Sequence, residues 1–481
     1  MTNYKTTIGL EFHAELKTKT KIFCSCPTTF AGEPNTNVCP ICLGLPGVLP
    51  VLNEKAVDLA IKAGLALNCQ ISRYSKFDRK NYFYPDLPKG YQVTQFPLPI
   101  CRNGHIMIQT EAGEKKIRIN RIHLEEDAGK LVHSGDTITS STYSLPDYNR
   151  AAVPLIEIVT EPDISSAEEA RQFGEKLRLM LLYAGVSDVK MEQGSLRCDV
   201  NISLSPEGSD KLGTKAEIKN LNSFKAVQRA IAYEEARQSE MLDNGERIIQ
   251  ETRTFDDASG TTSSMRSKED SHDYRYFPEP DLVPTVVDDA WIARMAAEMP
   301  EMPEKRLQRL CGNYGLSDYD AGLIVENPVL AFYFDEVIQY FAEPKTVANW
   351  LLGDLSRLLN ASGEEITVIP IKAEYLAQLL QKVKDAKINN NSAKIVLEEM
   401  FASDKDPLTI IEEKGFSQIS DSSALEKAIA EVLSAHPQPV KDYGDGKKQA
   451  LGFLLGQVMK ATSGQANPQI VRELLTKALD Q

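Results

Sequence analysis

Four short segments alternate apolar and polar residues with period two, so the chain must build strands with one face in a core and the other lined by ionisable groups. In residues 8–16, Ile8, Leu10, Phe12, Ala14 and Leu16 share one side, while Glu11, His13 and Glu15 share the other. Residues 196–203 repeat the pattern with Arg197, Asp199, Asn201 and Ser203 together. In residues 121–127, Ile122 and Leu124 face the core, which leaves Arg121, His123 and Glu125 with the polar set, and Lys215, Glu217 and Lys219 follow suit in residues 215–219. One such face is an ordinary solvated strand. Four faces rich in acids and short of Lys–Glu repeats are better explained by bound cations; hard oxygen donors suit magnesium, and magnesium implies phosphates.

A length of 481 residues sets a prior of about three domains, and 42% hydrophobic content lets each bury a core. Residues 1–5 show no charged-then-apolar leader, and no apolar stretch approaches the roughly 18 residues that span a bilayer. A cytoplasmic, soluble protein is expected. The net charge of −14 opposes unspecific adhesion to nucleic acid or anionic lipid, yet a local basic surface can still bind RNA.

Eight cysteines in a chain expected in the cytosol point to metal or core packing rather than disulfides. Cys24 and Cys26, followed by Cys39-Pro40-Ile41-Cys42-Leu43-Gly44, have the form of a zinc knuckle, with Pro40 setting the bend and Gly44 opening backbone N–H groups to the thiolates. Four thiolates close a tetrahedral structural site with no open position for chemistry. Buried free thiols are the alternative. Cys69, Cys101, Cys198 and Cys311 are isolated and read as core residues.

Short alternating segments and Gly/Pro/Asn turns dominate up to about Val287, interrupted by a helix from Ser165–Ser166 to Gly185 and another from about Ser223 to Leu242. This is the pattern of an α+β domain with a mainly antiparallel sheet. Pro278, Pro280 and Pro284 break it off, after which helical periodicity takes over: Trp291 to Met299, Pro303 to Leu310, Ser317 to Ile324, Val329 to Phe341, Lys345 to Leu359, and from Ala373 to the end with breaks at Gly415, Pro437 and Gly444–Gly446. The predicted domains are 1–290 (catalytic cradle with zinc knuckle), 291–406 (helical) and 407–481 (helical tail). The last helix pattern carries Leu451, Leu454, Leu455, Val458 and Met459 as a stripe, which suits a bundle; Gly452 and Gly456 with Lys447, Lys448 and Lys460 nearby also suit a nucleic-acid contact.

Residues 75–91 interleave Lys76, Arg79, Lys80 and Lys89 with Phe77, Tyr82, Phe83, Tyr84 and Tyr91, too punctuated for a regular element. Cations with aromatics suit a nucleotide or a tRNA terminus, whereas the plain reading is a loop packed on the core. Arg150 precedes an apolar run in which Glu157 is the one acid, either a metal ligand or half of a structural ion pair. No P-loop, dinucleotide fingerprint, Ser-Lys amidase constellation or catalytic-cysteine context occurs. A bound nucleotide must then be held by metal-bridged carboxylates, a mode similar to that of glutamine synthetase-type ammonia ligases.

Longer motifs carry a family resemblance. Residues 8–11 (IGLE), 39–44 (CPICLG), 77–86 (FDRKNYFYPD), 123–130 (HLEEDAGK), 194–199 (GSLRCD), 220–224 (NLNSF), 273–281 (DYRYFPEPD), 452–460 (GFLLGQVMK) and 466–468 (ANP) resemble the B subunits of aspartyl/glutamyl-tRNA amidotransferases from end to end. Departures are small: Phe12 and Pro146 stand where Val is usual, and Ala152 where Gly is usual. Between Pro284 and Trp291 there is no room for the extra synthetase-like domain of the archaeal relative, which favours the bacterial heterotrimeric type. The resemblance implies ATP-dependent amidation of mischarged Glu-tRNA(Gln) or Asp-tRNA(Asn), with ammonia from a partner glutaminase (A) subunit and a small C subunit bracing the pair. It implies His13, Glu125 and Glu157 as magnesium ligands, Glu11 and Asp199 as further metal or ATP contacts, and Arg79, Lys80 and Arg150 as phosphate contacts. His13 is unusual for so hard an ion, and binding through water or orienting a carboxylate is its alternative role. Glu126, on the other side of its strand from Glu125, would line an ammonia route with Lys89. A zinc-containing tRNA adaptor and a metal-dependent phosphohydrolase are the competing classes.

Overall fold

The computed structural model describes residues 3–30, 32–134, 142–267, 273–363, 367–416, 422–445, 447, 449–462, 466 and 468–480. The chain divides into a unit spanning Met1–Pro303 and a unit spanning Glu304–Gln481.

The first unit is built on one large sheet. Its strands run in the order Thr261–Ser267, Glu251–Asp256, Ala216–Leu221, Leu196–Pro206, Tyr4–Glu15, Pro154–Thr160, Gly113–Glu126, Tyr91–Thr94, Asp78–Asn81 and Phe277–Pro278, with Cys101–Thr110 pairing along Gly113–Glu126. Every pairing on this path is antiparallel except Ala216–Leu221 with Glu251–Asp256. The alternation expected of residues 8–16 is realised: Ile8, Leu10, Phe12 and Ala14 are at most 1% exposed, whereas Glu11, His13 and Glu15 are only partly covered. Full burial of a side chain such as Phe12 is worth about 1.5–3 kcal/mol, so a one-residue slip of this strand is strongly disfavoured.

Helices cover the apolar face. Ala167–Tyr183 begins where Ser166 caps the Glu169 N–H, and Phe224–Asp243 begins at an equivalent Ser223 cap on Ala226. Phe173 of the first meets Phe12 of the sheet at 6.0 Å between ring centroids. Gly174 lets Phe224 of the second helix pack against the first, because a Cβ there would stand 2.5 Å from the Phe224 ring. A further helix, Glu54–Ala66, is not among those expected from the sequence; Asn53 caps it and small residues Ala56, Ala60 and Ala63 pack it flat on the core.

Residues 75–91 are more regular than expected. Asp78–Asn81 and Tyr91–Thr94 form an antiparallel pair, and only the intervening turn leaves Phe83 (87% exposed) and Tyr84 in solvent. Backbone pairing on both sides of Asp78–Asn81 outweighs the scattered polarity of the segment.

The second unit is helical throughout its described residues. Pro328, Pro344 and Pro407 open helices at positions where the missing N–H is harmless, and Ser317, Asn327, Asn389 and Asp406 cap N-termini. The run predicted from Lys345 to Leu359 appears as Pro344–Trp350, a π-helical turn at Leu351–Leu355, and Ser356–Ser362. Leu425, Ile429, Val432, Leu454, Val458, Val471 and Leu475 form a core of their own, so the stripe of Gln449–Ala461 serves a bundle. A Cβ at Gly452 or Gly456 would meet nothing within 4 Å, so these glycines admit no helix of this unit to close approach. Lys448 and Gly446 lie outside the described residues.

Candidate functional site

Register decides which polar residues meet. On the central strands Glu11 pairs with Asp199, His13 with both Arg197 and Glu157, Glu157 with His123, and Thr94 with Glu125. Five strands thus deliver polar residues to one patch. His13 Nε2 lies 3.5 Å from Glu157 and 3.7 Å from Glu125; His123 Nε2 lies 3.3 Å from Glu157 and 3.5 Å from Glu125. Glu125 also accepts from Thr94 Oγ1 at 3.1 Å.

The electrostatics of this group follow from two acids sharing two imidazoles. Burial opposes the charge on Glu157, but His123 and His13 outweigh it and hold the carboxyl well below its ordinary range. Burial also opposes protonation of His123, and Glu157 with Glu125 overcomes it, raising the imidazole to about 9. Two buried carboxylates at this point favour positive charge beside them. One atom each of His13, Glu125 and Glu157 lies within 4.8 Å of the others. His123 Nδ1 is buried without a hydrogen-bond partner. The two carboxylates suit a hard divalent cation, and the imidazole is the softer member of the set.

Glu11 and Asp199 do not join that group; with Glu217 they make a second one, again within 4.8 Å. Lys219 sits in it, its ammonium 2.6 Å from Asp199 and 3.1 Å from Glu217, while Asn201 donates to Glu11 at 2.9 Å. A cavity of about 360 Å³ runs over both groups, lined among others by His13, Lys80, Glu125, Arg197, Asp199 and Lys219.

The three phosphate candidates separate. Lys80 lines the cavity. Arg79, its neighbour on an extended strand, projects to the opposite side, where Glu279 takes its guanidinium at 2.6 and 2.8 Å and Tyr91 stacks beneath it at 4.3 Å. Arg150 is tied to the Ala128 and Gly129 carbonyls and lies 3.4 Å from Asp127, which also holds Arg197 at 3.1 Å. Glu15, the second acid of its strand, is pushed up to about 8 by burial and by Asp127.

Glu126 lies on the reverse side from Glu125. Its carboxylate accepts from the Val93 N–H at 2.8 Å and pairs with Lys89, beside a small cavity of about 90 Å³ lined by Phe23, Ile41, Leu45 and Tyr91. Gln92 joins the two sides, since it lines the large cavity and donates to the Glu126 carbonyl at 2.8 Å.

Cys24, Cys26, Cys39 and Cys42 bring their sulfurs within 4.8 Å of one another. The Cys39 N–H points at Cys42 Sγ (3.2 Å), and the fully buried Lys21 ammonium lies 3.7 Å from the same sulfur while binding the Asn37 and Tyr148 carbonyls. A hydrogen bond from Cys24 leads the causes that bring Cys42 down to about 5, so one thiolate is already favoured. Sulfurs bound at about 2.3 Å to a tetrahedral zinc stand roughly 3.8 Å apart, and the cluster is compatible with that.

The sequence pattern assigns no role to His123, Asp127, Lys219 or Lys21. His123 is legible from its alternation with Glu125; Lys21 has no signal, because its partners are backbone carbonyls brought near by folding.

Comparison with known proteins places this arrangement in a class. The GatB/GatE catalytic domain family matches residues 6–293, and the GatB domain family matches residues 332–479. B subunits of aspartyl/glutamyl-tRNA(Asn/Gln) amidotransferase are similar over the whole chain: the one from Carboxydothermus hydrogenoformans is 55% identical, covering 100% of this chain and 99% of the relative. The counterparts in Caldicellulosiruptor saccharolyticus and Moorella thermoacetica are each 54% identical, covering 99% of this chain and 99% and 100% of their own lengths. The chain belongs to the family of aspartyl/glutamyl-tRNA(Asn/Gln) amidotransferase B subunits. The resemblance read from the motifs is thereby confirmed.

Proposed function

We propose that this chain is the subunit of a glutamine-dependent amidotransferase that converts mischarged Glu-tRNA(Gln), Asp-tRNA(Asn) or both to the amidated form. The observation that carries the reading is the paired acid groups under one cavity, within the span matched by the catalytic-domain family. A carboxylate oxygen is a poor leaving group, so the side-chain carboxylate first attacks the γ-phosphorus of ATP, releasing ADP. Ammonia then attacks the acyl carbon and phosphate departs. His13, Glu125 and Glu157 would hold magnesium, which would supply charge neutralisation for the phosphates. Glu11 and Asp199 serve the nucleotide end, and Lys80 stabilises negative charge at the carboxylate end of the cavity. Arg197 and Arg150, both paired with Asp127, hold the cavity wall, and Arg79 braces the Glu279 segment rather than a phosphate.

In this reading the open acid-lined sheet is a cradle of the glutamine synthetase type. Ammonia comes from a partner glutaminase subunit, braced by a small third subunit, and reaches the cavity past Lys89 and Glu126 through the layer occupied by Gln92. The four cysteines hold structural zinc. The helical unit, with its tail from residue 407, contacts tRNA by shape and a few cations such as Lys447 and Lys460. A tRNA substrate places the reaction in the cytoplasm, and among the described residues no helix is long and apolar enough to cross a membrane.

ATP consumption by the assembled complex, measured with each mischarged and each correctly charged tRNA, tests the proposal. Turnover that requires the mischarged tRNA is expected. ATP hydrolysis indifferent to tRNA would turn the reading toward a phosphohydrolase, and binding with no hydrolysis toward an adaptor.

A further inference from the structure

Four aromatic rings stand at the Lys80 edge of the sheet and take no part in the chemistry above. We infer that Tyr276, with Phe96 and Tyr274, is the stacking site for the unpaired terminal base of the tRNA acceptor strand; the inference rests on the amidotransferase reading.

Two distant stretches of chain build the site. Asn81, next to Lys80, donates its backbone N–H (3.0 Å) and its amide (3.2 Å) to the Tyr274 carbonyl, and the amide also reaches the Arg275 carbonyl at 2.9 Å. Phe277–Pro278 then pairs with Asp78–Arg79, so residues 274–276 are pinned to the strand that carries Lys80. Arg275 adopts φ 43°, a turn that leaves Tyr274 and Tyr276 in contact at 6.0 Å with their rings at 67°. Tyr276 stacks on Phe96 at 4.5 Å and 26°, and Tyr274 meets Tyr82 edge-on at 6.0 Å.

Two of these rings are poorly covered: Phe96 is 47% exposed and Tyr276 37%. A lone exposed aromatic needs no explanation, but a near-parallel stack held by hydrogen-bonded backbone at the mouth of a polar cavity is costly to leave to water. Tyr82 lines the cavity itself, and Lys80 both lines it and stands 4.8 Å from the Tyr274 ring centroid. From Glu125 outward the path therefore runs through Lys80 to Tyr274, Tyr276 and Phe96. In an aminoacyl-tRNA the amino acid is esterified to the terminal ribose, so a carboxylate reacting beside Glu125 brings the terminal base to this rim. Single-stranded termini are bound by stacking on aromatic rings, with cations such as Lys80 and exposed Arg275 near the adjoining phosphates.

Sheet order argues against the base of ATP as occupant. Asp199 and Glu217 lie on strands on the far side of His13 from Lys80. Phosphates spanning both acid groups carry their nucleoside toward that side, where Glu11 borders a second recess of about 310 Å³ that also includes Gly9, Val159, Pro162 and Leu212. The aromatic edge is left for the other substrate.

The test uses the complete amidotransferase assembly with wild type, Tyr276→Ala and Tyr276→Phe. Tyr276→Ala is expected to raise KM for mischarged tRNA about 5- to 150-fold, the range one base–aromatic stack is worth, with KM for ATP and the melting temperature at wild-type values. Tyr276→Phe keeps the ring and restores the wild-type KM. Chemically acylated tRNA with an abasic terminal nucleotide should impair wild type to the same degree and the alanine variant no further. An unchanged KM, additive losses, a phenylalanine variant as impaired as alanine, or a rise in KM for ATP instead would each overturn the assignment. Equilibrium binding of the same tRNAs to the same assemblies decides the matter even where wild type fails to amidate, an outcome that would sink the amidotransferase reading instead.

Discussion

Glu125 and Glu126 are consecutive, both are nearly inaccessible, and they face opposite sides of one strand. On the reverse side the protein satisfies its own charges: Glu126 takes the Val93 N–H and Lys89, and four cysteines converge beside Lys21. On the cavity side Glu125 has one hydrogen bond, from Thr94, and two histidines at 3.5–3.7 Å. Equal burial thus conceals unequal saturation. Lone pairs filled by backbone and lysine leave little for a ligand, whereas acids kept close to one another and met by two imidazoles, one hydroxyl and an arginine no nearer than 3.7 Å are poised for a cation.

The largest expected effect breaks the cavity side alone. Glu125→Gln removes a negative charge while keeping shape, and tRNA-dependent ATP turnover should fall on the order of 10³-fold, the scale seen when a preorganised electrostatic group is lost. Glutaminase activity in the same assembly should stay at the wild-type rate. Wild-type ATP turnover in this variant would remove Glu125 from the chemistry.

The reverse side should answer through stability and coupling. Glu126→Gln strands the Lys89 ammonium in a buried setting, where breaking such a pair costs about 3–5 kcal/mol. Chemical denaturation should register that loss. Amidation driven by glutamine should drop more than amidation driven by added ammonium salt; an equal drop in both would detach Glu126 from ammonia delivery.

A smaller effect is expected from Cys39→Ser combined with Cys42→Ser. The protein should lose bound zinc and about 2 kcal/mol of stability, a shift of roughly 3 °C in Tm for a unit spanning Met1–Pro303, while KM for ATP holds. Elemental analysis that finds no zinc in metal-replete wild type would end the comparison between a saturated and an unsaturated centre.

Much of this contrast is legible in the residue pattern alone. Period-two alternation places Glu11, His13, Glu125 and Asp199 on polar faces and separates Glu126 from Glu125, because strand side chains alternate whatever the partners are. Ser166 and Ser223 mark helix starts by the same kind of local chemistry. The Cys39–Cys42 spacing brings two sulfurs together within one turn. Legibility fails where the deciding fact is a neighbour from elsewhere. The regularity of Asp78–Asn81 comes from strands on both sides of it, and the fate of Arg79 turns on Glu279, about two hundred residues away.

Local sequence therefore determined the alternating faces, the capped helices, the cysteine pairs and, through its longer motifs, the family. Only tertiary structure decided that the acids form two groups rather than one, that Lys219 occupies the second, that His123 stands between Glu125 and Glu157, and that aromatic rings from two loops meet at the Lys80 edge. The physical reason is range: backbone preference and alternation act over a few residues, whereas charge saturation depends on which strands pair and in what register.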